Sequence, residues 1–251
     1  MAMDYIPRLT PWPKEFGDRI PVTEIFYSIQ GEGRHAGAPA VFIRLAYCNL
    51  GCVWCDTRFT WDSEKIEPSR LMTAEEIAAG VRESVAGSTC PDGPIHTVVT
   101  GGEPMLHQDR IPTMIRALRP AGFEYCEIET NGTIVPSAEM RDTVSWWNCS
   151  PKLANNGRPE EYNLVPEALR AIASTGRADF KFVVRAQNDV EEIERVFLPI
   201  VPRESIMLMP EGVTRARQLE LMPVVMAECL RTGFRFSPRM HILAWGNERG
   251  R

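Results

Sequence analysis

Three of the chain's seven cysteines, Cys48, Cys52 and Cys55, stand within eight positions of one another, in the run Tyr47-Cys48-Asn49-Leu50-Gly51-Cys52-Val53-Trp54-Cys55-Asp56-Thr57. The spacing C-x-x-x-C-x-x-C gathers three thiolates into one short loop, and soft thiolates select iron–sulfur clusters, zinc or Cu(I). Three ligands leave a tetrahedral site one short. Cys90, the next cysteine along the chain, lies a helix length away. An iron–sulfur cluster held here therefore keeps one iron open to a small chelating ligand, as catalytic metal sites do. The plainer readings are a zinc knuckle completed by His35 or Asp56, or buried thiols that only happen to cluster. Zinc sites usually pair their ligands as two separated couples, and no second C-x-x-C is present.

The same spacing resembles the signature of the radical S-adenosylmethionine (SAM) enzymes. In that superfamily three cysteines hold a [4Fe–4S] cluster, and the methionyl amine and carboxylate of SAM chelate the fourth iron. Four further motifs suit such a cofactor. In Thr100-Gly101-Gly102-Glu103-Pro104 the two glycines allow close backbone approach, and exposed carbonyls with Glu103 can accept the protons of the methionyl amine. Glu129 and Asn131 offer an acceptor and an amide to ribose hydroxyls, Ser150 and Lys152 can hold the cofactor carboxylate, and Met209 can lay an apolar edge on the adenine. Each has a plain counterpart. Pro104 suits the first position of a helix after a turn, Glu129 and Asn131 can belong to a polar turn, Pro151 can simply end a strand, and a strand-end Met is commonly core.

These motifs need elements to position them, and hydrophobic periodicity supplies candidates. Residues 1–20, with Pro7, Pro11 and Pro13, read as an irregular arm. Thr23–Ile29 alternates apolar and polar residues and Pro39–Ala46 is nearly all apolar, with Gln30-Gly31-Glu32-Gly33 and Gly37 between them as turn chemistry. Thr73 and Glu76 predict a capped helix carrying Ile77, Val81 and Val85. Strands are expected at 95–99, 123–128, 144–148, 179–184 and 206–209, with helices over 111–118, 164–173, 190–197 and about 214–230, the last kinked at Pro223. Counting 39–46, six strands are each followed by a helix or a helix-sized connection. Alternation of this kind implies a parallel sheet curling toward a partial barrel, in which function collects at the C-terminal strand ends. The cysteine loop and the four motifs all occupy such ends. The fold class expected is α/β: a partial (β/α)6 barrel of the radical SAM type with an N-terminal strand pair, residues 1–251 forming one domain whose tail, 238–251, lies near the active site.

Composition narrows the partners. The 251 residues are 44% hydrophobic, enough for a full core. With 28 basic against 33 acidic residues the formal charge is −5, which disfavours a broad grip on nucleic acid or acidic membrane and favours a small-molecule partner. No apolar run approaches the roughly 20 residues that span a bilayer, and the N-terminus lacks the charge and apolar pattern of a signal peptide, so a cytoplasmic setting with reduced thiols is expected.

The full set of motifs resembles a narrower family, the 7-carboxy-7-deazaguanine synthases, over residues 22 to 245. The resemblance rests on Glu24 through Gly33, on Phe42-Ile43-Arg44-Leu45, on Cys55-Asp56-Thr57 and on the motifs at 100–104, 129–133 and 150–152. Lys181-Phe182-Val183, Leu208-Met209-Pro210-Glu211-Gly212 and Arg239-Met240-His241 complete it. It implies conversion of 6-carboxy-5,6,7,8-tetrahydropterin to 7-carboxy-7-deazaguanine with loss of ammonia, on the route to deazapurines such as queuosine. It further implies catalytic SAM, Mg2+, a homodimer, and an electron donor such as flavodoxin or ferredoxin. Carried over, Gln30 and Glu32 bond the pterin, Arg44 meets its carboxylate, Thr100 and His241 contact the substrate, and Thr57 gives its hydroxyl oxygen to magnesium. These assignments agree with a guanidinium fork on a carboxylate and with a hard ion on oxygen. No protein acid or base is implied. The pattern gives no role to the tail 242–251 and none to residues 58–72. Two other functions fit the cysteines alone: an activating enzyme that installs a glycyl radical on a partner protein, and a zinc-stabilised binding module.

Overall fold

The computed structural model describes residues 16–87 and 95–251. Most of the expected N-terminal arm and Cys90 lie outside the described residues. The chain begins with the expected strand pair, β1 (Ile20–Ile29) and β2 (Pro39–Leu45), which run antiparallel. A third short strand, β3 (Arg70–Met72), closes the far side of β1 and gives the segment 58–72 a place in the sheet. Helix α1 (Ala74–Ser84) starts as predicted. Thr73 Oγ1 accepts from the Glu76 amide at 3.3 Å and the Glu76 carboxylate accepts from the Thr73 amide at 2.8 Å, which satisfies two otherwise orphaned donors.

Alternation follows: β4 (His96–Gly101), α2 (Ile111–Leu118), β5 (Cys126–Thr130), α3 (Ala138–Thr143), β6 (Trp146–Cys149), α4 (Glu160–Asn163), α5 (Pro166–Ala173), β7 (Ala178–Val184), α6 (Gln187–Glu192), β8 (Ile206–Pro210) and α7 (Arg215–Thr232). The helical path of α6 continues through a wider turn over Ile193–Phe197, and α7 runs on through Pro223. A two-residue strand, β9 (Arg235–Phe236), and a last helix, α8 (Met240–Trp245), were not visible as periodic patterns. The sheet order is β3-β1-β2-β4-β5-β6-β7-β8-β9, parallel from β2 onward, as the partial barrel requires.

Successive side chains on a strand face opposite ways, and here the two faces differ in chemistry. Ile43, Val99, Ile128, Trp147, Phe180, Phe182 and Leu208 join one core with Ile77, Met114, Leu118, Ile172 and Phe197 of the helical layer. The alternate positions put Arg44, Thr100, Glu127, Glu129, Asn148, Asp179 and Lys181 on the other face. The β1–β2 connection folds across this polar face. Arg34 pairs with Asp179 at 3.2 Å, and Gly33 lies so close to Asn148 that a side chain there would press on its amide oxygen. The sheet thus buries a polar lining on the face opposite its helices.

Candidate active site

The cysteine loop leaves the C-terminal end of β2 through Tyr47, whose φ of 73° is in the left-handed region. Hydrogen bonds on both sides hold that turn. The Tyr47 amide donates to Thr60 at 2.8 Å, and the Tyr47 carbonyl accepts from the Glu103 amide at 2.7 Å. The Gly102 amide reaches Leu45 at 3.0 Å, so the β4 end is stitched to the start of the loop. A Cβ on Gly101 would run into the Leu45 backbone, and one on Gly102 into the Tyr47 carbonyl. These glycines are needed first for backbone to approach backbone.

Each thiol in the loop meets a hydrogen-bonding group. The Leu50 amide points at Cys48 Sγ (3.4 Å), the Asn156 amide at Cys52 Sγ (3.6 Å) and the Trp61 indole at Cys55 Sγ (3.2 Å). Such donors stabilise sulfur that carries negative charge and tune an iron–sulfur cluster. Burial pushes the Cys48 and Cys52 thiols up, so these two favour the protonated thiol until a metal takes the proton's place. The donor set fits a thiolate-bound cluster.

One cavity collects nearly every residue expected at the site: Gln30, Glu32, Arg44, Cys48, Cys52, Cys55, Thr57, Thr100, Gly101, Gly102, Glu129, Asn131, Ser150, Lys152, Met209 and His241. Glu103 is the exception. It is buried, with one oxygen accepting from the Met105 amide (3.0 Å) and Thr130 Oγ1 (2.7 Å) and the other from the Asn131 amide (2.7 Å). Its carboxylate clamps the ends of β4 and β5 together instead of facing the cavity. Asn131 in turn braces the cysteine loop, donating to Asn49 Oδ1 at 2.9 Å. Lys152 donates to Ser150 Oγ at 2.9 Å, so that pair forms one polar unit. The two zinc alternatives also fall. His35 packs against His96, Tyr125 and Trp146 at the N-terminal ends of the strands, the opposite end from the cysteines, and Asp56 is bound by Arg239.

Charge partners of the cavity's carboxylates were not assigned from sequence. Lys181, fully buried, donates to Glu32 at 2.9 Å and to Glu129 at 2.8 Å. Arg239 bridges Glu32 (3.0 Å) and Asp56, and Gln30 donates to Glu129 at 3.2 Å. Burial alone would raise the Glu32 carboxyl, but Lys181 and Arg239 overcome it and hold Glu32 ionised. Glu129, with a single cation and Glu32 nearby, is pushed up by burial. Burial also lowers His241, whose ring lies 4.0 Å from Glu32. Arg44 Nε donates to Glu24 at 2.6 Å. The clue that could have found Lys181 is a cation within the apolar stretch Asp179 to Val184, at the position that alternation turns away from Phe180 and Phe182.

The two stretches left without a role meet over the same rim. Arg249 of the tail pairs with Glu67 at 2.6 Å and with Glu24 at 3.2 Å, and its guanidinium lies 3.9 Å from the centre of the Phe59 ring. Arg251 lines the cavity itself.

Comparison with known proteins agrees with this geometry. The radical SAM superfamily matches residues 43–144. A protein of Pyrobaculum aerophilum named 7-carboxy-7-deazaguanine synthase is 40% identical, covering 93% of this chain and 98% of its own. One of Halobacterium salinarum with the same name is 33% identical over 92% of each chain. The crystal structure of QueE from Escherichia coli superposes with a TM-score of 0.68 at 27% identity, covering 89% of this chain and 95% of that one. Taken with the three-thiol loop and the polar cavity it opens on, these likenesses show that the chain belongs to the 7-carboxy-7-deazaguanine synthase family of radical SAM enzymes.

Proposed function

We propose that the chain converts 6-carboxy-5,6,7,8-tetrahydropterin to 7-carboxy-7-deazaguanine with loss of ammonia. The observation that carries this reading is that one cavity opens both on the three thiols and on a clamp for a small polar anion, made of Gln30, Glu32, Arg44 and His241. When bound, a [4Fe–4S] cluster with SAM supplies reductive cleavage of the sulfonium and, through it, abstraction of a hydrogen atom. The chain's own residues bind and orient. Cys48, Cys52 and Cys55 would hold the cluster. Gly101, Gly102, Glu129, Asn131, Ser150, Lys152 and Met209 would hold SAM, with Glu103 acting through the Asn131 backbone.

For the pterin, the stacked rings of Phe26 and Phe42, with centroids 5.0 Å apart, line the cavity and offer an apolar wall to a flat heterocycle. Glu32, kept ionised by Lys181 and Arg239, accepts from the donor edge of the ring, with Gln30 and Thr100 beside it. Arg44 meets the carboxylate. His241, neutral near pH 7, bonds without adding a charge. Thr57 would give a hydroxyl oxygen to Mg2+, which keeps waters and binds few protein oxygens. Thr57→Ala should therefore weaken the magnesium dependence of turnover and spare the cluster; an unchanged magnesium titration would remove that role. We further read the chain as one unit that works as a cytoplasmic homodimer and takes its electron from a flavodoxin or ferredoxin.

Anaerobic incubation with SAM, a reductant and the carboxypterin tests the reading. The expected result is the deazaguanine carboxylate and ammonia in equal amounts, with SAM not consumed in proportion. Cleavage of SAM with the pterin untouched, together with a radical signal on a glycine-bearing polypeptide, would put the activating-enzyme reading in its place.

A further inference from the structure

A second cluster of metal-ligating side chains lies at the N-terminal end of the parallel strands, where the synthase reaction makes no use of it. His96 opens β4, Glu127 is the second residue of β5, and His35 comes from the β1–β2 connection. His96 Nδ1 lies 2.6 Å from Glu127 Oε1 and His35 Nδ1 lies 3.2 Å from the same oxygen. One ligand atom from each of the three residues falls within 4.8 Å of the other two.

We propose that His35, His96 and Glu127 form a binding site for a divalent transition ion of the zinc type, separate from the cysteine loop.

The ligand set suits such an ion. Two imidazole nitrogens and one carboxylate are ligands that zinc takes, with a fourth position left to water. Bonds of about 2.0–2.2 Å set tetrahedral ligand atoms roughly 3.3 Å apart, so the His35–Glu127 pair is already spaced for it and the His96–Glu127 pair must open by roughly 0.7 Å. His35 Nδ1 is buried, faces Glu127, and makes no hydrogen bond of acceptable geometry. An ion would take the place of the proton that this imidazole–carboxylate contact otherwise holds. The surrounding groups orient the ligands as metal sites require. Asn148 Nδ2 donates to the other Glu127 oxygen at 2.6 Å, and the Tyr125 hydroxyl lies 3.5 Å from His35 Nε2.

Charge and access point the same way. Asp179, on the same face of the sheet, is matched by both Arg34 and Arg235. Among the described residues Glu127, itself fully buried, is paired with the two imidazoles and the Asn148 amide and with no lysine or arginine. The His35 and His96 side chains keep 20% and 15% of their surface exposed, which leaves a path for an ion and its water. An ion here would tie the β1–β2 connection, which also carries Glu32, to β4 and β5.

The test is zinc uptake by the cluster-loaded protein. After incubation with zinc sulfate and desalting, the parent should retain a single zinc ion per chain by elemental analysis and unfold at a higher temperature than untreated protein. A variant with Cys48, Cys52 and Cys55 all changed to Ala should retain the same zinc. His96→Ala should retain none, and Asn148→Ala should bind about tenfold to a hundredfold more weakly in calorimetric titration. His35→Asn alters a partly exposed loop residue, so it decides the matter if His96→Ala fails to fold, and it too should lose the ion. Equal zinc in the parent and His35→Asn, zinc that disappears with the cysteines, or no uptake by the parent would each overturn the site.

Discussion

Lys181 is the residue on which the interior charge balance turns. An ammonium with no access to water is tolerable only because two carboxylates, Glu32 and Glu129, lie within 3 Å of it. Burial opposes its charge, and Glu129 and Glu32 hold it protonated regardless. Lys181→Met keeps most of the volume but leaves two half-buried carboxylates short of a cation. Breaking such a pair costs about 3–5 kcal/mol, so urea unfolding should show a loss of that order; a loss within experimental error would mean water reaches the group. Arg44 gives a prediction about recognition. With Nε committed to Glu24, a lysine would lose either that bond or the contact with the ligand carboxylate. Arg44→Lys should bind the carboxypterin more weakly by about 1.5–3 kcal/mol, or about tenfold to a hundredfold. A pterin lacking the carboxylate should lose much less. Equal losses for the two ligands would return Arg44 to a supporting role for Glu24.

At the scale of elements, the site is a set of strand ends held in register by backbone contacts. The β2 and β4 ends meet through Gly101 and Gly102, and the β4 and β5 ends through the Glu103 carboxylate. Gly102→Ala forces the Tyr47 carbonyl away and with it the turn that aims Cys48. Iron bound per chain after anaerobic reconstitution should fall well below the parent's, while the far-UV spectrum stays the same because the helical layer is not touched. Full iron content in Gly102→Ala would show that the loop holds its shape without this stitch.

For the whole molecule, buried titrating groups set how acid is tolerated. His107 donates through Nε2 to the Ala46 carbonyl at 2.9 Å, just before the cysteine loop, and burial pulls its pKa down to about 4. Unfolded, the ring protonates near 6.5, so the unfolded chain takes up the proton first as pH falls. The stabilisation is therefore complete above pH 6.5 and lost progressively toward pH 4. It amounts to about 3 kcal/mol in full, with about 2 kcal/mol gone by pH 5. Glu127, held at about 2 by the imidazoles and Asn148 against the effect of its burial, contributes in the same sense but at lower pH, below about 4.5. His107→Gln, which retains a donor for Ala46, should flatten the fall in unfolding free energy between pH 7 and pH 5 by about 2 kcal/mol. Parallel pH profiles for the two proteins would mean the ring is not kept neutral by the fold.

Local chemistry was legible in the sequence because it is written in neighbouring residues. The spacing of Cys48, Cys52 and Cys55, the Thr73–Glu76 cap, the apolar runs and the polar motifs that end them are all short-range patterns. Short patterns suffice to place strands, and parallel strands carry their C-terminal ends to one rim. Tertiary structure alone decided what each polar group at that rim would face. Glu32 meets Lys181 from 149 positions away and Arg239 from 207, and no periodicity encodes such a pairing. Glu103 reads as a ligand group from its motif, yet the folded chain gives its oxygens to three protein donors because a buried carboxylate must be satisfied locally. His35 could have completed a cysteine site by sequence distance. The β1–β2 connection carries it instead to the other end of the sheet, beside His96 and Glu127, because that connection must cover the polar face that the strands bury.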